Sequence, residues 1–203
     1  MGHGLGVAPG MIIVKMRTAQ SVGTDNWPVF HKSLGATKNL WLDASNGQNT
    51  SATYWNNTEP TSSVFSLGND LDVNHSNGYA YIAYCFAEVE GYSKFGTYTG
   101  NGSLDGPFVY CGFKPSWVMC KVSQGTTGSW NIFDAARDPF NEVNKSLLSN
   151  SGNGEDILTS QNDLDFCSNG FKIREDNNNF NRSGGTFIFM AFAETPFKYA
   201  NAR

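Results

Sequence analysis

Apolar positions in this chain come in short runs, separated by clusters of Gly, Asn, Ser and Thr that mark turns. Met11 to Met16 is rich in Ile and Val, and Pro9 fixes its start, which predicts a strand. Trp27 to Phe30, Leu40 to Leu42, Ser63 to Leu67 and Tyr79 to Val89 read as further strands. Two runs are longer and continuously apolar: Tyr79 to Glu88, and Thr186 to Glu194. Each fits a central strand buried on both faces. A buried helix is the alternative, but Tyr, Phe and Ile favour strand. Helix signals are weak elsewhere. Ala135 to Leu148 has room for a turn or two of helix, interrupted by Pro139. Turn signals every ~8–12 residues point to an all-β, sandwich-like fold.

The pattern repeats. Pro9 followed by Met11-Ile12-Ile13-Val14-Lys15 matches Pro115 followed by Trp117-Val118-Met119-Cys120-Lys121, at an offset of 106. Val64-Phe65-Ser66-Leu67 matches Gly170-Phe171-Lys172-Ile173 at the same offset. So does the run from Gly78 to Phe86-Ala87-Glu88, against Gly184 to Phe192-Ala193-Glu194. Between these blocks the register drifts: Trp27 and Phe30 pair with Trp130 and Phe133 at 103, and Leu40 with Leu147 at 107. Three blocks in one order at one offset predict an internal duplication. The copies are units of roughly 92 residues, 6–97 and 112–203, within repeats drawn at 1–101 and 102–203. Two arrangements are open: tandem modules, or the two halves of one pseudo-twofold sandwich. Each copy is long enough for its own core, which favours tandem modules. Copy two is preceded by a short lead-in strand, Phe108-Val109-Tyr110-Cys111, and copy one lacks most of an equivalent. The expectation is a longer array, or a partner that supplies that strand.

Composition narrows the function. Charged residues make up 16% of the 203, against a typical ~25%, and aromatics reach 14%, which separates the chain from a disordered one. Net charge is -4 and the isoelectric point about 5.3, which argues against a nucleic-acid binder. No stretch approaches the ~18 apolar residues of a membrane span, and the N-terminus lacks the basic-then-apolar pattern of a signal peptide. Cys85, Cys111, Cys120 and Cys167 form no CxxC pair and match no zinc-site spacing. They read as buried thiols, with two disulfides as the alternative. His3, His31 and His75 are scattered, with no HExxH and no GxSxG. No cofactor or metal is expected.

Four features remain as candidate chemistry. Glu88 and Glu194 close equivalent apolar runs and suit acid–base work if brought together; otherwise each serves its own copy through a hydrogen bond or an ion pair with Lys15 or Lys121. Asp70-x-Asp72-x-Asn74 resembles the start of a calcium loop but lacks the closing bidentate acid, so a polar turn is expected. Gly100-Asn101-Gly102 lacks the Lys of a phosphate loop and reads as a linker. Trp41, Tyr54, Trp55 and Trp130 sit beside amide-rich stretches, where aromatic faces and amides together suit sugar binding. The tryptophans shared by both copies, Trp27 and Trp130, are expected to be structural. Tyr54-Trp55-Asn56-Asn57, with Trp41, is therefore the candidate glycan or partner contact, since its adjacent turn residues imply exposure; ordinary core or rim packing of these rings is the alternative.

The phrase Phe86-Ala87-Glu88, Gly91, Gly96 and Gly102, then Gly106-Pro107 and Gly112-Phe113-Lys114-Pro115, is distinctive. With Gly170-Phe171-Lys172 and the closing Ala191-Phe192-Ala193-Glu194 through Phe197, it resembles an uncharacterised repeat domain. That domain is associated with structural and tail proteins of bacteriophages, marine ones especially. The resemblance covers nearly the whole chain and offers no catalytic residues to carry over. It implies a non-enzymatic component of a virion tail or tail fibre, produced in the host cytoplasm. The implied partners are other virion proteins, a host-surface glycan or receptor, and further copies of the chain, as in a trimer. A glycan-degrading tail depolymerase using Glu88 and Glu194 is the alternative.

Overall fold

The computed structural model describes residues 1–17, 25–76, 78–155 and 163–195. The chain divides into two compact units, Met1–Ala87 and Glu88–Arg203, and both are almost entirely β.

In the first unit, five strands form one antiparallel sheet: β1 (Pro9–Met16), β2 (Pro28–His31), β3 (Lys38–Trp41), β4 (Asn49–Thr50) and β5 (Tyr81–Ala87), in the order β4-β3-β2-β1-β5. Side chains alternate across such a sheet. Ile12 and Val14 of β1, with Phe30 of β2, therefore share a face, and they pack with Tyr54, Trp55, Phe65 and Val73. Those four come from the long segment between β4 and β5, which contains one turn of helix, α1 (Ala52–Trp55). The expected strand Ser63–Leu67 shrinks to a single bridge, Gly2 to Val64. The reason is local: Thr61 Oγ1 accepts the backbone N–H groups of Ser63 and Val64 and bends the chain.

The second unit has two sheets. One joins β6 (Ser93–Thr99), β8 (Pro115–Gln124), β9 (Trp130–Asp134), β10 (Leu147–Leu148) and β13 (Thr186–Ala193), in the order β10-β9-β8-β13-β6. The other joins β7 (Phe108–Tyr110), β11 (Leu164–Cys167) and β12 (Gly170–Ile173). The core between them is aromatic, with Phe133, Phe171, Phe187 and Phe189 buried together beside one-turn helix α2 (Asn178–Asn181) and its Phe180. The helix expected within 135–148 does not form. Asp134 Oδ1 accepts the Ala136 N–H, and Asp138 Oδ2 accepts those of Asn144 and Lys145, so short acidic side chains hold this stretch as turns.

The two strand orders correspond in register. Ile12 faces Cys85 and Phe30; Val118 faces Ala191 and Phe133. Val29 faces Leu40, as Ile132 faces Leu147. A register shift interrupts β1–β5 after Pro9 and β8–β13 at Phe192/Ala193, which is the same place in the two pairings.

The compact units divide at Ala87/Glu88, inside the first repeat drawn at 1–101, because β6 pairs with β13 from Thr186 to Phe192 and so belongs with the second unit. The C-terminal end of the second repeat, 196–203, lies outside the described residues. The two long apolar runs differ in environment: β13 is a central strand buried on both faces, but β5 has β1 as its one strand neighbour among the described residues, and Ile82, Ala83 and Tyr84 are exposed. A short lead-in also precedes copy one: His3 N donates to Ser63 O at 3.3 Å and Phe65 N to Met1 O at 2.9 Å, an antiparallel bridge of Gly2 to Val64 whose register differs by two residues from that of β7 with β12.

Candidate functional site

The aromatic cluster predicted to grip a glycan forms, but it faces inward. Ser51 caps α1 by accepting the Thr53 N–H at 3.1 Å, and Asn56 closes it in the left-handed region at φ 52°. Asn57 follows at φ 48°. Both amides are exposed, as their turn role requires. The single helical turn between these caps points Tyr54 and Trp55 into the sheet, leaving Trp55 only 1% exposed. Trp55 packs edge-on against Phe30, with ring centroids 5.8 Å apart, and Tyr54 against half-buried Trp41 at 5.9 Å. The exposed stacking platform expected at Tyr54–Trp55 is therefore corrected: these rings belong to the core. Trp130 is buried in β9, as expected of a shared residue.

Asp70, Asp72 and Asn74 make a polar turn. Asp70 Oδ1 accepts the Asp72 N–H at 3.0 Å, and Asn74 Nδ2 donates to Gly68 O at 2.9 Å. No group of three or more metal-ligating side chains occurs among the described residues. Glu88 pairs with Lys94 at 2.8 Å and Glu194 with Lys114 at 2.9 Å. These are ion pairs as expected, but with different lysines from those expected. Lys15 instead bonds the Asp25 carbonyl and lies over Trp27, while buried Lys121 donates to Val122 O at 2.8 Å.

Sequence reasoning missed a cavity of about 430 Å³ in the first unit, lined by Met1, Gly2, His3, Phe65, Ala83 and Cys85. One neutral tautomer of His3 satisfies both its neighbours: Nδ1 accepts the Leu5 N–H at 3.2 Å and Nε2 donates to Thr61 O at 3.1 Å. A signal for the cavity exists in the repeat, since Ala83 stands at the position equivalent to Phe189.

The family described as "Domain of unknown function (DUF7483)" matches residues 1–196. The chain belongs to that family. No curated protein and no solved structure matches it significantly.

In this DUF7483 chain all four cysteines are free thiols, with Cys111 and Cys120 buried. Burial raises Cys111 to about 12, and raises Cys120 and Tyr98 as well. Burial has the opposite effect on the Lys121 ammonium, lowering it to about 8 from its usual 10.5. The thiols keep protons that the unfolded chain releases from about pH 9 upward, and Tyr98 keeps one that it releases from about pH 10, so their contributions to stability fall as pH rises above those points. Lys121 refuses a proton that the unfolded chain takes up, so between about pH 8 and 10.5 its contribution rises with pH. Burial also raises Cys85, Cys167, Tyr54 and Tyr81, so the groups that lose stability with rising pH outnumber the one that gains. Urea midpoints should therefore fall between pH 8.5 and 10.5, and Cys111→Ala with Cys120→Ala should flatten part of that fall. A midpoint that climbs across this range would contradict the burial of these groups.

Proposed function

We propose that this chain is a non-enzymatic structural module of a virion, built from two copies of one β unit and serving in a phage tail or tail fibre. The observation that supports this best is the shared register of β1, β2, β3 and β5 with β8, β9, β10 and β13. Four strands that recur in one order and register suit a component that builds length and contacts neighbours. The resemblance of the Phe86–Pro115 phrase to phage tail-associated repeats points the same way. Glu88 and Glu194, the carboxylates a depolymerase would use, are each engaged by a lysine. The partners are other virion proteins and further copies of the chain, and host glycan or receptor contact falls outside Tyr54 and Trp55. No metal or cofactor enters this reading.

Antibody raised to the chain should label the tails of purified particles of the virus that encodes it, and digests of those particles should contain its peptides. Particles free of the protein would overturn the proposal. So would release of reducing ends from host polysaccharide that Glu88→Gln or Glu194→Gln abolishes.

A further inference from the structure

β5 and β13 hold the same place in the two strand orders, but their outer edges differ. In the second unit β6 pairs antiparallel along that edge, from Thr99 at Thr186 to Ser93 at Phe192. Among the described residues of the first unit, Tyr81–Cys85 pairs with β1 alone. The side chains register the difference. Phe187–Ala191 is buried throughout, whereas Ile82 is 38% and Tyr84 42% exposed. Proteins usually blunt such an edge with charge, proline or shortness. β5 is seven residues long and carries neither charge nor proline.

The cavity beside this edge indicates what a pairing strand would carry. On β6, Gly96 lies opposite Phe189, and a Cβ at Gly96 would come within 2.8 Å of the Phe189 ring. There a small residue on the added strand accommodates a large one on the resident strand. At the equivalent position β5 has Ala83, and the cavity opens over Ala83 and Cys85 against Phe65. The size relation is reversed, leaving room for a large side chain on the incoming strand.

We propose that β5 accepts an antiparallel strand from a different protein and not from a second copy of this chain: an extended segment of the β6 type, with a bulky apolar side chain opposite Ala83. Main-chain hydrogen bonds along Tyr81–Cys85 would hold it, and the apolar side chain in the cavity would set its register. The inference rests on the correspondence of the two units and not on the virion assignment, so either can fail alone.

Two fluorescent peptides test it against the whole chain by anisotropy: one with the sequence of residues 91–101, and one in which Gly96→Leu fills the cavity. Burying a leucine side chain should make the second bind about tenfold tighter. Ala83→Phe in the chain should reverse the order, restoring the pairing of Phe189 with Gly96. Equal binding of both peptides, or binding of neither, would overturn the proposal, and these outcomes need no variant to fold. A dimer of the unliganded chain that Tyr84→Lys dissociates would also overturn it, by assigning the edge to a second copy.

Discussion

Replacing Trp55 by alanine should destabilise the first unit by about 3–5 kcal/mol, the usual cost of truncating a large buried aromatic side chain. The indole is 1% exposed and packs edge-on to Phe30 at 5.8 Å. The cost has two parts: the transfer energy of the ring, and the cavity left beside a β-sheet that cannot collapse to fill it. A glycan-stacking tryptophan would behave in the opposite way, losing ligand affinity while the denaturation midpoint held. Urea titration of Trp55→Ala separates the two. A loss under about 1 kcal/mol would show that the ring lies outside the core.

Phe171→Ala should cost about as much in the second unit. Phe171 is fully buried between the two sheets and meets Tyr98 and Phe189 edge-on, at 6.3 and 5.3 Å. Its neighbour Gly170 shows how tightly β12 and β7 approach: a Cβ there would sit 2.1 Å from the Val109 carbonyl oxygen. Backbones this close leave little freedom to relax into the space vacated by a ring. Phe108→Ala on β7 is the control, since Phe108 is exposed and its loss should cost under about 1 kcal/mol. Equal losses for Phe171→Ala and Phe108→Ala would contradict the two-sheet core.

Strand positions were legible because apolar runs between turn clusters carry a local signal. Met11–Met16, Trp27–Phe30 and Leu40–Leu42 fall on β1, β2 and β3 within a residue or two, apart from an earlier start to β1 and β3. The offsets of 106, 103 and 107 coincide with the observed pairings. Strand environment was not legible. The runs at 79–88 and 186–194 look alike, and whether such a strand is central or at an edge depends on a partner distant in sequence. Phe86 of β5 and Phe192 of central β13 are both half-buried, because alternation along each strand puts them on the face opposite Cys85 and Ala191, which pack on the cores. Phe192 instead joins Tyr92, Phe95 and Trp117 in an aromatic group on the other face of β13. The aromatic site failed for a different reason. Asn56 and Asn57 correctly signalled an exposed turn, but a helix of four residues is too short to show a period, so nothing marked the inward direction of Tyr54 and Trp55.

Amide hydrogen exchange on β5 and β13 in one sample of the unliganded chain tests the central claim, that β13 is paired along both edges while β5, among the described residues, is paired along one. Strands on both sides of β13 engage its N–H groups, so Phe187–Ala191 should exchange slowly at every residue. On β5 alternate N–H groups point away from β1, so Tyr81–Cys85 should alternate between slow and fast. Uniformly slow exchange along Tyr81–Cys85, matching β13, would contradict the account.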